Sequence, residues 1–316
     1  MIDVASPEEL DRVRADIAVW RPAIDAVTSA LSLAGDPVAS SSGTLPVFLW
    51  SDCVVKLYAP ASFWGAGQTG FPDHDAERAA LRMLSGRLPL AVPALRGDGA
   101  VGPWRYLAME RIDGSPLEGL WSRTSRETQL AVLGELGEAI ATMHALEPVA
   151  FPATCADFDT FLDGQAEDVD AIQRRKRTPR TWLDPIERFV ADTPRGAPGR
   201  AFLHTEIAPS HVLATATSDA ITLHGMIDWV EAMIGDPEYD IAAVAFFLCR
   251  GDGARLSAFL DGYGWTDERG EALARRLMRY LLLHRYAPFR WLFEQRPVPG
   301  ARTVDDLLEA WMGFAR

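Results

Sequence analysis

The sequence predicts an α+β protein of two lobes, a strand-rich first part followed by a mostly helical remainder. Three observations carry this. Short β-branched and aromatic runs cluster between residues 38 and 109. After Gly114 apolar residues recur at spacings of three and four. Between 203 and 241 a segment rich in His and carboxylates interrupts the helices with short apolar runs. At 316 residues, 48% hydrophobic and with mean hydropathy near zero, the chain is an ordinary globular one with room for one large domain or two lobes.

Taken in order, residues 6–34 read as one or two helices. Ser6-Pro7-Glu8-Glu9 places a capping residue before Pro at the first helical position. Gly35-Asp36-Pro37 stops them, so residues 1–35 form an N-terminal helical extension. Val47-Phe48-Leu49-Trp50 and Val54-Val55-Lys56-Leu57-Tyr58 read as strands around a turn at Ser51-Asp52. Asp73–Leu84 is helical, with Ala76, Ala79 and Ala80 on one face. Pro93-Ala94-Leu95 and Tyr106-Leu107-Ala108-Met109 add two strands, which closes a first lobe over 36–111. The second lobe, 112–316, opens with a core helix over Gln129–Leu146, where Leu130, Leu133, Leu136, Ile140 and Met143 share a face. Residues 147–200 read as less regular, with an acidic stretch Asp157–Asp170 and a helix near Trp182–Val190. Helices follow at 240–250, 254–262, 267–285 and 304–315.

Composition bounds the function. A net charge of −13 makes nucleic acid a poor partner, because phosphate binding needs a basic surface. The one basic cluster, Arg174-Arg175-Lys176-Arg177, reads as a solvated helix end or loop. The acidic excess favours a cationic small molecule through long-range attraction. Cys53, Cys155 and Cys249 are odd in number and far apart, which fits a reducing cytoplasm rather than a disulfide framework or zinc site. No basic-then-apolar leader is visible, and no apolar run reaches the ~20 residues of a membrane span.

The chemistry lies in FLHTEIAPSHVLA and GMIDWVEAMIGDPEYDIA. His204, Glu206, His211 and Asp228 are the polar residues of two strand-like segments whose apolar flanks would bury them. A carboxylate, a metal-binding side chain five residues on and a second carboxylate beyond a hairpin form the pattern of a phosphoryl-transfer site. An internal salt bridge at Asp228 and a solvent-facing edge-strand Lys56 are the purely structural alternatives. His204 reads as a structural hydrogen-bonding residue, and Asp236-Pro237 with Asp240 as a helix start.

These segments resemble the aminoglycoside phosphotransferases and related antibiotic kinases, which share the protein-kinase fold. FLHTEIAPSHVLA is similar to that family's His-Gly-Asp-Leu-His-Pro-x-Asn-Val-Leu loop, and GMIDWVEAMIGDPEYDIA to its metal-binding strand. The VVKLY strand, a helix bearing Glu77 and the LAMERIDG hinge occur in the same order. The N-terminal helix and the tail near FEQRPVPGARTVDDLLEAW look most like the hygromycin kinases. The resemblance implies that Lys56, paired with Glu77, holds the ATP α/β-phosphates, and that Ser42, Gly43 and Thr44, within the loop Ser40–Thr44, cover the phosphates. It implies that Glu110 and Ile112 offer backbone groups to the base, that Glu206 takes the acceptor hydroxyl proton, and that Asp228 with His211 holds Mg2+ or Mn2+. Three positions depart from the family pattern: Glu206 stands for Asp, His211 for Asn, as in macrolide kinases, and Thr205 for Gly.

The expected protein is an O-phosphotransferase that uses ATP or GTP and acts on a hydroxyl of an antibiotic-like small molecule, with aminoglycosides such as hygromycin first. Macrolides, another metabolite, and a pseudokinase without turnover stay open as alternatives. Acids in 157–170 and Asp305, Asp306 and Glu309 are candidates for contacting a cationic acceptor.

Overall fold

The computed structural model describes residues 4–64, 74–148, 157–196, 199–217 and 220–313. Asp73, Cys155 and the end of the last expected helix lie outside the described residues. The chain divides into two compact units, the first comprising residues 1–87, 91–113 and 225–231 and the second the remainder. Residues 225–231 therefore cluster with the first unit although they follow it by more than a hundred residues.

In the first unit, α1 (Pro7–Val13) is capped by Ser6, whose side chain accepts the Glu9 N–H, and α2 (Ile17–Leu31) by Asp16. Trp20, Ala23, Ile24 and Val27 line the buried side of α2. They share one core with Phe48, Val55, Leu57 and Trp104 of the sheet and with Trp50 of the β2-β3 turn. Trp20 meets Trp104 edge-on at 4.8 Å. The sheet holds β1 (Val38–Ala39), β2 (Val47–Leu49), β3 (Cys53–Tyr58), β4 (Leu95–Val101) and β5 (Trp104–Glu110), antiparallel in the order β1-β2-β3-β5-β4. Helix α3 (His74–Leu84) lies between β3 and β4 in the chain. The strand expected at 93–95 instead runs 95–101. Its Gly97 and Gly99 look like a turn, but they face the Leu31 side chain and the Tyr106 ring, which leave no room for a Cβ.

In the second unit, β6 (Ser115–Pro116) and α4 (Glu118–Trp121) precede α5 (Arg126–His144), which Ser125 caps. The stretch read as less regular holds two unforeseen helices, α6 (Phe158–Glu167) and α7 (Val169–Arg175), and the helix expected near Trp182–Val190 is α8 (Leu183–Asp192). Asp157 starts α6 by accepting the Thr160 N–H at 2.9 Å. Then come β7 (Ala201–Leu203), β8 (Val212–Ala216), β9 (Ile221–Met226) and β10 (Met233–Gly235), arranged as a β10-β7 pair and a β6-β8-β9 sheet. The unit ends with α9 (Glu238–Val244), α10 (Gly253–Tyr263), α11 (Glu271–Leu283), the unforeseen α12 (Phe289–Gln295) and α13 (Asp305–Met312). Cys53 and Cys249 are buried and free. Among the described residues no helix is long and apolar enough to cross a membrane.

Candidate active site

Lys56 sits mid-strand on β3, paired in register with Val47 and Leu107. It is 9% exposed, and its Nζ lies 3.0 Å from Glu77 Oε2 and in direct contact with Asp228 Oδ1. Burial works against the ammonium, but the carboxylates of Asp228 and Glu77 outweigh it and hold the pKa above the usual lysine value. Glu77, 1% exposed on α3, also accepts the Tyr58 hydroxyl and, at 3.2 Å, the Trp229 N–H. That last bond fixes the backbone just after Asp228. Asp228 itself keeps 32% of its side chain exposed.

Ser42, Gly43 and Thr44 are exposed in the loop joining β1 to β2. Gly43 takes φ 91°, and Ser40 Oγ accepts the Ser42 N–H at 3.3 Å. At the end of β5, the Glu110 N–H goes to the Ala94 carbonyl and the Arg111 N–H to that of Asp52.

The second unit carries the loop between β7 and β8. His204, Glu206, His211 and Asp228, expected within strands, all lie outside them: the strands end at Leu203 and Met226 and resume at Val212. The reason is backbone conformation, since Thr205 and Asp228 both take φ 69°, which no strand accommodates. His204 is fully buried, and its Nδ1 accepts the Glu206 N–H at 3.3 Å. Glu206 is half-buried. The His211 ring stacks over His204 at 5.9 Å, and its Nδ1 lies 2.9 Å from the Glu206 carbonyl. A carbonyl can only accept, so Nδ1 of His211 carries a proton and donates it to Glu206.

Sequence reasoning assigned Asp240 to a helix start, and the structure gives it more. Fully buried, it accepts the N–H of His204 at 2.9 Å and of Thr205 at 2.7 Å, and lies 3.1 Å from His144 Nε2. Asp236 does the capping, accepting the Glu238 N–H and the Tyr280 hydroxyl. His284 and Lys176 were also missed. Lys176, read within a solvated basic cluster, is half-buried and donates to the His284 carbonyl. A signal existed: Lys56 and Lys176 are the only two lysines among 31 basic residues. Where arginine is the default cation, each lysine marks a place that wants a compact ammonium.

The acids offered for a cationic acceptor are mostly engaged. Asp159 and Asp163 meet Arg195, Asp170 meets Arg174 and Asp305 meets Arg275, while Asp157 and Asp306 bond to backbone N–H groups. A cavity of about 760 Å3 elsewhere in the second unit, between α5 and the β8-β9 turn, contains none of the candidate residues.

Residues 46–277 match the phosphotransferase enzyme family. The chain belongs to that family. This phosphotransferase is similar in fold to the GDP complex of wild-type aminoglycoside 2'-phosphotransferase-IIIa, with a TM-score of 0.66 at 17% identity over 94% of this chain and 99% of that one. It is similar to the streptomycin-ATP-APH(2")-IIa ternary complex, with a TM-score of 0.57 at 16% identity over 86% and 90%. A third is macrolide 2'-phosphotransferase MphH from Brachybacterium faecium, with a TM-score of 0.55 at 19% identity over 81% and 87%. The α+β, protein-kinase-like fold class expected from the sequence is thus the one found.

Proposed function

We propose that this phosphotransferase moves the γ-phosphoryl group of ATP or GTP to a hydroxyl of an antibiotic-like small molecule, in the cytoplasm, with aminoglycosides such as hygromycin the first acceptors to test and macrolides the second. The observation that carries the reading is Lys56, a buried ammonium kept charged by Glu77 and Asp228. Such a group is suited to the α/β-phosphates, and structures of similar proteins with GDP and with ATP support a nucleotide donor. Similar proteins that act on aminoglycosides and on a macrolide support the acceptor class.

In this reading Ser42, Gly43 and Thr44 cover the phosphates, and Glu110 and Ile112 meet the base through the backbone. Glu206 takes the proton of the acceptor hydroxyl, so that an alkoxide-like oxygen attacks as the bond to the leaving diphosphate breaks. Asp228 and His211 would hold Mg2+ or Mn2+. The donor chemistry suits them: a half-open carboxylate and an imidazole would leave the remaining positions to water and phosphate oxygens. When bound, the metal neutralises charge on the phosphates.

The test is transfer of labelled phosphate from ATP across aminoglycosides, macrolides and smaller amino alcohols, with Glu206→Ala alongside. We expect one class to be labelled, and Glu206→Ala to lower kcat by about 10²–10⁴-fold while nucleotide binding persists. Binding of ATP with no transfer to any acceptor would make the chain a pseudokinase. Full activity in Glu206→Ala would move the base elsewhere.

A further inference from the structure

Thr205 precedes Glu206 and holds φ 69°, a conformation that suits glycine and disfavours a β-branched side chain. Something must hold it there. Asp240 grips the peptide before Thr205 through the Thr205 N–H. The next peptide, between Thr205 and Glu206, sets the direction in which Glu206 leaves the backbone. Both of its polar groups are taken by imidazoles: its N–H by His204 Nδ1 at 3.3 Å and its carbonyl by His284 Nε2 at 2.7 Å. The His284 tautomer is fixed from its other nitrogen. Nδ1 accepts the Tyr286 N–H at 3.2 Å, so the ring proton is on Nε2 and points at Thr205.

The His284 ring is itself held. It stacks on Tyr239, with centroids 5.0 Å apart and planes 16° from parallel, and meets Phe247 edge-on at 5.5 Å. Helix α11 ends just before it, where carbonyls of the last turn need partners. Gln173 donates to Leu282 O at 2.7 Å, Gln165 to Leu283 O at 2.8 Å, and Lys176 to His284 O. Three side chains from α6, α7 and the residue after it therefore fix the segment that carries the ring.

We infer that His284 is a positioning residue for Glu206: by holding the Thr205 carbonyl it imposes the backbone conformation that a glycine in place of Thr205 would adopt unaided. The inference rests on the reading of Glu206 as the carboxylate that meets the acceptor hydroxyl. It also accounts for a threonine in a left-handed position of the catalytic loop.

The test is a double-mutant cycle. His284→Leu removes the donor, His284→Gln keeps an N–H, and Thr205→Gly removes the need for the clamp. In His284→Leu, kcat should fall tenfold or more with KM for ATP unchanged, and His284→Gln should recover most of it. In the Thr205→Gly background the same His284→Leu change should cost threefold or less. The melting midpoint should show the same coupling, with a smaller drop in the Thr205→Gly background than in the presence of the native Thr205. If His284→Leu does not accumulate folded, His284→Asn, whose amide falls short of Thr205, replaces it in the cycle. Unchanged kcat in His284→Leu, or equal losses in both backgrounds, overturns the inference while leaving the proposed function intact. Wild-type protein without transfer, or Glu206→Ala as active as wild type, removes the proposed function and this inference together.

Discussion

At the scale of single residues, Lys56 and Glu77 depend on one another. Without the ammonium, Glu77 keeps the Tyr58 hydroxyl and the Trp229 N–H but is a buried charge without a counter-ion. Breaking such a pair costs about 3–5 kcal/mol, far more than an exposed pair is worth. Lys56→Ala should therefore lower the melting midpoint as well as raise KM for ATP and lower kcat. Asp228→Asn separates the two effects. The change is isosteric at a partly exposed side chain and leaves Glu77 as the counter-ion of Lys56, so the melting midpoint should fall less than in Lys56→Ala while kcat falls by about 10²–10³-fold or more. Normal turnover in a folded Asp228→Asn protein would exclude that carboxylate from the chemistry.

At the scale of elements, α5 and α10 cross through glycine. A Cβ at Gly137 would lie 2.3 Å from the Phe259 carbonyl oxygen, and one at Gly262 would lie 2.0 Å from that of Gly134. Both obstacles are backbone and cannot swing aside. At Gly134 itself a Cβ would meet only the Ala258 carbonyl, at 3.8 Å. Alanine gains up to about 1 kcal/mol of helix propensity over glycine, whereas overpacking costs about 1–3 kcal/mol. Gly137→Ala and Gly262→Ala should thus destabilise in chemical denaturation, and Gly134→Ala should be neutral or stabilising. Equal effects at all three would refute the close crossing. The apolar spacing of α5 was legible in the sequence, and so were the cap of α1 and the β2-β3 strands, because each is a local pattern. Helices α6 and α7 were not, since their acids resemble a solvated stretch until Arg195 and Arg174 are seen to pair with them. The loop around Glu206 was recognisable by residue type. Its conformation was not, because Asp240 and His284 act on it from 35 and 79 residues away.

At the scale of the whole molecule, buried histidines set the response to acid. Burial pushes the His284 pKa down to about 4, with the Thr205 carbonyl and Asp240 opposing and Lys176 assisting. Burial and Arg105 also lower that of His74. The unfolded chain takes up these protons near pH 6.5 and the folded chain only well below, so stability is complete above pH 6.5 and is lost as pH falls. For His284 alone the loss between pH 7.5 and 5 is about 2 kcal/mol. Asp236 and Glu238, whose carboxyl pKa values burial raises, act in the opposite sense. The measurement is therefore a difference: His284→Gln should flatten the fall in unfolding free energy between pH 7.5 and 5. A slope identical to wild type would mean that His284 does not stay neutral in the folded state.

The scarcity of lysine reaches beyond the site. A chain with 31 basic residues offers only two ε-amines, and they are in different chemical states. Lys56 is locked as an ammonium between two carboxylates and is no nucleophile. Lys176, pushed down to about 8 by burial and by Arg175, spends much of its time at mildly alkaline pH as a neutral amine. Of the two lysines, this is the one whose amine an acylating reagent could use. Each molecule so tagged would lose the hydrogen bond that Lys176 makes to the His284 carbonyl.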